Sequence, residues 1–298
     1  MSKNQPGSIG LLSWVLLLVL ALIWGSSFIL YKKGLLVYQP GHVGALRIVS
    51  AALVMLPTAI RNFKKVTKKQ RLLLLFTGLL GSFIPAFLFA IAQTQITSSV
   101  SGILNAMTPF FVLIFGALLF GQSIKRQDVF GLIMGFSGTI LLITAGSAGN
   151  FSAINGYALF VILATVCYGI NINFIKFKLK GLNSLAITSI SLCLTAPAAL
   201  AYLLLVPGFF TQVQQAEGAL FSLMAVVLLG VFGTAVALIF FNRLVQLTSP
   251  VFTSYVTYII PIVAVVWGVA DGEVMQVMHY IGMLLIIIGL YISSQRKK

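Results

Sequence analysis

Ser98, Ser101, Asn105 and Thr108 step by three, four and three through an otherwise apolar segment. At that spacing they share one face of a helix. Hydroxyls and an amide aligned this way do the chemistry of hydrogen bonding. They either hold a neighbouring helix or form a wall against which a polar solute rests. Asn105 favours the wall, because an amide with four hydrogen-bonding sites is costly to bury in a dry contact. Gly102, Asn105 and Pro109 recur 152 positions later as Ser254, Thr257 and Pro261. Each proline lacks an N–H and frees the carbonyl one turn back, at Asn105 and at Thr257. A kink is expected at those two carbonyls, which makes Pro109 and Pro261 candidate kink or hinge residues.

A second set combines aromatic faces with polar groups. "WGSSF" supplies Trp24, Ser27 and Phe28, and "YGINI" supplies Tyr168 and Asn171. They are expected at opposite mouths of one pathway, although an interfacial aromatic belt accounts equally well for Trp24 and Tyr168. Tyr255 and Tyr258, one turn apart, fit either a cavity wall or helix packing. Arg47 is the one basic residue deep in an apolar stretch, about 10 Å along its helix at 1.5 Å per residue. It fits best an interfacial anchor or a helix contact; the alternative is a partner for a substrate carboxylate. The candidate substrate-binding set is these residues together with Ser101, Asn105, Thr108, Ser254 and Thr257. His42 and His279 fall at stretch edges and read as interfacial.

Other chemistries lack their residues. The four carboxylates, Asp128, Glu217, Asp271 and Glu273, all map to loops or helix ends. No apolar stretch carries the central acid that a proton relay uses. Facilitated diffusion, exchange or another coupling is therefore expected. No paired acids, Ser/His pair or H-E-x-x-H is present, so catalysis is not expected. Cys167 and Cys193 lie in apolar stretches without metal or redox spacing. No metal or cofactor is expected.

These side chains need elements to position them, and composition says which. Of the 298 residues 59% are hydrophobic and 8% charged, against about 25% charged in a soluble domain. The mean hydropathy is +1.08. Ten stretches are long enough to cross a bilayer as helices: roughly 11–31, 40–60, 72–92, 97–120, 127–146, 153–175, 183–206, 218–241, 248–270 and 276–294. Helices are expected because lipid offers backbone amides no partner. The first stretch has no small-x-small cleavage site and reads as retained. With ten crossings, 16 of the 19 basic residues share one side. That bias places both termini in the cytoplasm. A basic face beside anionic headgroups accounts for the net charge of +15 without nucleic acid.

The 152-residue spacing of Pro109 and Pro261 also relates Gly116 to Gly268, and a spacing of 151 relates Gly131 to Gly282 and Gly138 to Gly289. The chain therefore divides into two five-helix repeats, 1–146 and 150–298. Five is odd, so the second repeat is inverted, an architecture of transporters. "ALIWGSSF", "ALRIVSAALVMLP", "NAMTPFFVLIFGALLFGQ" and "YIIPIVAVVWGVADGE" together resemble the EamA-type transporters of the drug/metabolite transporter superfamily. The resemblance covers nearly the whole chain. One departure is Gln122, where a Glu often follows the glycine; Glu273 keeps it. The resemblance implies an all-α membrane protein of ten helices around a central cavity. It also implies export of amino acids or other small metabolites. The expected partners are a small-molecule substrate and membrane lipids, with the protein a monomer or homodimer in the cytoplasmic membrane. A non-transporting scaffold or sensor is the alternative.

Overall fold

The computed structural model describes residues 10–96, 98–146, 156–270 and 276–294, and their regular structure is helical. The first three helices are α1 (Leu11–Gly34), α2 (Pro40–Phe63) and α3 (Lys68–Ala92). Next come α4 (Ser98–Asn105), α5 (Thr108–Phe120) and α6 (Arg126–Gly146). They are followed by α7 (Ala158–Lys178), α8 (Ser184–Leu205), a short α9 (Phe209–Gln215) and α10 (Ala219–Leu247). The chain continues through α11 (Pro250–Ser254), α12 (Val256–Ala270) and α13 (Val277–Ser294). Among the described residues six helices are long and apolar enough to cross a membrane: α1, α2, α3, α7, α8 and α10.

Local chemistry sets several helix starts. Thr67 and Gln70 form a reciprocal capping box at the head of α3, satisfying two amides with no intrahelical partner. The Asn183 side chain accepts from Ala186 N at 2.7 Å to start α8. Ser249 does the same for Phe252 N at the start of α11. Pro40 and Pro250 sit in first turns, where a missing N–H leaves no bond unmade.

The segment expected as one helix over 97–120 is two. α4 ends at Asn105, a turn occupies 106–107, and Pro109 lies in the first turn of α5. The Asn105 carbonyl accepts from Thr108 Oγ1 at 2.7 Å. The segment over 248–270 is likewise divided at Tyr255, with Pro261 inside α12. The first interruption adjoins Asn105 and the second lies two residues before Thr257, the positions at which kinks were expected.

α3 and α10 each contain a π-helical turn, Leu79–Phe83 and Val231–Val236. These begin 152 positions apart, the spacing that relates Pro109 to Pro261. A π turn carries one more residue than the α-helix and shifts the side chains that follow it.

Packing relies on close approach. A Cβ on Gly131 would stand 2.7 Å from Gly289 O, and one on Gly138 would stand 2.6 Å from Gly282 O. Only glycine allows α6 and α13 to touch backbone to backbone in this way. The small-residue pattern "GLIMGFSG" in α6, compatible with internal packing or dimerisation, packs internally.

One apolar cluster includes Leu17, Val112, Ile187, Leu244 and Tyr258; another includes Tyr31, Val43, Phe89, Val161 and Val226. Large apolar side chains also cover the outside, among them Leu11, Leu118, Leu205 and Phe221. A surface of this kind is stable against lipid and not against water.

Candidate substrate cavity

Between these two clusters lies a cavity of about 100 Å³. That size suits a small solute and excludes a macromolecule. α1 contributes Trp24, Ser27 and Tyr31, and α2 contributes Arg47. α3 presents Gly81 and Ser82 from its π turn, and α10 presents Gly233 and Thr234 from its own. Asn105 and Thr108 flank the α4–α5 interruption, while Ser254 and Thr257 flank that between α11 and α12. α7 adds Tyr168 and Asn171. Four stretches of irregular backbone, two π turns and two helix interruptions, are thus gathered at one place. In a membrane protein such backbone is tolerated where it lines a cavity or is buried in protein.

Six of the lining hydroxyls, those of the serines and threonines, have spent their hydrogens. Ser27 Oγ donates to Ile23 O at 2.6 Å and Ser82 Oγ to Gly78 O at 2.9 Å. Thr108 donates to Asn105 O, Ser254 to Val251 O at 2.7 Å, and Thr257 to Ser254 O at 2.9 Å. Thr234 Oγ1 donates to Leu229 O at 3.4 Å. A hydroxyl has one hydrogen and two lone pairs, so these six groups present acceptors. Asn105 Oδ1 and Asn171 Oδ1 are buried with no protein hydrogen-bond partner.

Arg47 supplies the opposite polarity. Its Nε donates to Thr234 Oγ1 at 2.6 Å, a second N–H donates to Tyr31 OH, and its guanidinium carbon lies 5.3 Å from the Tyr31 ring centroid. Among the described lining residues it alone is charged.

Aromatic and aliphatic side chains complete the wall. Trp24 packs on Phe241 with ring centroids 5.3 Å apart, and its Nε1 donates to Gly233 O at 2.9 Å. Phe89 stacks on Tyr168 at 6.2 Å. Ile172, Leu229, Leu238, Val256 and Ile260 are also at the surface of the cavity.

The structure therefore brings nine sequence candidates to one cavity: Trp24, Ser27, Arg47, Asn105, Thr108, Tyr168, Asn171, Ser254 and Thr257. Those from "WGSSF" and "YGINI" share it. Ser101 is buried away from it. Tyr255 and Tyr258 also lie elsewhere, fully buried and stacked at 5.5 Å, with Tyr258 OH donating to Leu132 O at 3.1 Å. Packing against α6, the other reading of these two tyrosines, is what they do. The side chain of Phe28 lies outside the described residues. His42 is fully buried, its Nδ1 3.2 Å from Gln212 Oε1, against the rings of Tyr202 and Phe209. His279 is also buried and accepts from Gln276 N at 3.0 Å.

Sequence reasoning missed Tyr31, Gly81, Ser82, Phe89, Gly233 and Thr234. A signal for four of them exists. "GLLGSF" from 78 and "GVFGTA" from 230 share Gly-x-x-Gly-Ser/Thr at the 152-residue spacing, and both segments hold a π turn.

Outside the helices, Tyr38 donates to Ala219 O at 2.9 Å, and burial pushes its phenol above the usual tyrosine range. It stays a neutral donor at physiological pH, tying the α1–α2 loop to the head of α10. Among the described residues no three His, Cys, Asp or Glu side chains converge to hold a metal ion.

An all-helical chain with an apolar exterior and a polar internal cavity has the form of a solute carrier of membranes. The sequence model of the EamA-like transporter family matches residues 11–144 and 155–295. The chain belongs to this family, and is a multi-pass membrane transporter. It is 23% identical to an "Uncharacterized transporter" of Archaeoglobus fulgidus over 95% of this chain and 99% of that one. It is also 23% identical to the "Uncharacterized inner membrane transporter YedA" of Escherichia coli K12, over 94% and 90%. A "Probable amino-acid metabolite efflux pump" of Salmonella typhimurium is 29% identical over 48% of this chain and 47% of its own. A solved crystal structure superposes with a TM-score of 0.70 over 94% of this chain and 96% of that chain, at 17% identity. That likeness concerns the fold alone.

Proposed function

We propose that the protein exports small amphipathic metabolites, amino acids among them, across the cytoplasmic membrane by alternating access. The observation that carries this reading is the cavity, whose wall joins a guanidinium, hydroxyl and amide acceptors, and aromatic faces. A solute with polar ends and an apolar side matches it.

The architecture in this reading is ten crossings in two inverted repeats, 1–146 and 150–298. Its support is the pairing of π turns and of prolines at one spacing, with a helix interruption upstream of each proline, together with two successive matches to the same family model. Inverted repeats allow a protein two related conformations, each open to one side. The basic-residue bias places both termini in the cytoplasm. An outward direction and amino-acid substrates accord with the name of the Salmonella typhimurium relative, and the inner membrane with that of YedA.

The test is flux. The purified protein in liposomes, loaded in turn with amino acids, nucleosides, organic acids and organic cations, moves at least one amphipathic class. Asn105→Leu lowers that flux while the protein still melts cooperatively. Absence of flux for every class would overturn the proposal.

A further inference from the structure

The charge pattern of the cavity narrows its solutes further, resting on the transport reading above. Arg47 carries a positive charge into a wall that otherwise holds neutral groups. Its partners there, Thr234 and Tyr31, are both neutral hydroxyls. They orient the guanidinium without cancelling its charge. The described carboxylates are engaged or placed elsewhere: Asp128 accepts from Ser293 Oγ at 3.1 Å in the first turn of α6, and Glu217 is exposed just before α10. A guanidinium has five N–H donors in a planar fork. Two of them are used here. Arg47 is half-buried, a charge drawn from water gains from a counter-charge, and a planar carboxylate is the anion whose two oxygens match the fork.

Most of the remaining polar wall offers acceptors, beside the tyrosine hydroxyls and the Asn105 and Asn171 amide groups, which can also donate. Six hydroxyls have given their hydrogens to backbone carbonyls, and two amide oxygens, both on buried side chains, lack protein partners. Acceptors of this kind receive N–H groups. Among the described residues the cavity has no carboxylate to hold an ammonium by charge alone. The anionic end of a solute therefore has a charged partner, and its donor end has neutral ones.

We propose that Arg47 is the carboxylate-recognising residue of this cavity, so that the solutes it accepts carry a carboxylate at one end and N–H donors at the other. Thr234 and Tyr31 are positioning residues that hold the fork toward the cavity. Arg47→Gln removes the charge and keeps a neutral donor; Arg47→Lys keeps the charge and loses the fork.

The experiment measures counterflow in proteoliposomes of the full chain, using the twenty common amino acids, their carboxamides, and a set of neutral and cationic organic solutes. The wild type is expected to move its preferred amino acid at least about tenfold faster than the matching amide, since a site built for a polar group discriminates strongly against its absence. Arg47→Gln is expected to bring that ratio within about twofold of one by losing the amino acid and not the amide. Arg47→Lys retains part of the preference. Melting of each variant in detergent separates lost recognition from lost folding. If Arg47→Gln fails to melt cooperatively, the wild-type ratio together with Arg47→Lys decides. Equal transport of acid and amide by the wild type overturns the inference and leaves the transport reading standing. So does a discrimination unchanged in the variants. Transport of only neutral or cationic solutes overturns it as well. Absence of transport for the whole panel overturns the transport reading and the inference with it.

Discussion

The amide of Asn171 lies so close against Gly81 that a Cβ at Gly81 would stand 2.3 Å from Nδ2. Ser27 has the same relation to Gly233, where a Cβ would stand 2.9 Å from Oγ. Both glycines belong to π turns, and both polar partners line the cavity. Ser27 and Asn171 occupy the third place after Trp24 and Tyr168 in "WGSS" and "YGIN". Gly81→Ala is therefore expected to displace Asn171 from the wall and lower flux, with a stability loss of about 1–3 kcal/mol from overpacking. The double variant Gly81→Ala with Asn171→Ala recovers much of that stability, because the clash is with the side chain. A double-mutant cycle by thermal melting checks this, and additive losses would refute the contact.

The α6–α13 contact is less forgiving. A Cβ at Gly138 would meet Gly282 O at 2.6 Å and Ile286 N at 2.9 Å. Backbone cannot rotate away as a side chain can. Gly138→Val is expected to cost about 3 kcal/mol or more and to lower the melting temperature in detergent sharply. A melting temperature within a degree or two of wild type would show that the helices are not packed this way.

Asn173 acts inside the fold and away from the solute. Its Nδ2 donates to Val112 O at 2.8 Å and to Gly169 O at 2.9 Å, tying α7 to α5. Asn173→Leu leaves Val112 O without this donor, and is expected to destabilise by about 1–3 kcal/mol. Substrate preference, read as the ranking of solutes in the flux panel, is expected to stay as it is.

Orientation is open to direct labelling. Lys180 and Glu217 are both exposed in loops, on opposite sides of the membrane in the ten-crossing reading. Lys180→Cys, on the basic side, is expected to react with an impermeant thiol reagent only after cells are opened. Glu217→Cys is expected to react in intact cells. The reverse pattern would invert the topology.

Membrane crossings were legible because their signal is composition summed over about twenty residues. The α3 and α10 π turns were not read, since a shift in helical phase leaves little trace in a stretch that is apolar on nearly every side. The prolines were visible, and the break at 106–107 adjoins Asn105, where a kink was expected; that Pro109 itself sits in the first turn of a new helix was not. Asn105 could be singled out by the cost of burying an amide. Tyr255 and Tyr258 could not be resolved, because an aromatic residue suits a wall or a core equally. Their place follows from the glycine gap at Gly131 and Gly135, and that pairing is a long-range fact. Arg47 was visible as a lone charge, but its partner Thr234 is 187 positions away, beyond the reach of local patterning.

The central claim is that solute passes through the cavity beside Asn105. It is tested by Asn105→Cys in a Cys167→Ala, Cys193→Ala background, reconstituted in liposomes and treated with a small methanethiosulfonate reagent. Flux of the transported solute is expected to fall with the extent of modification, and excess solute is expected to slow the labelling. Complete modification with undiminished flux would contradict the account.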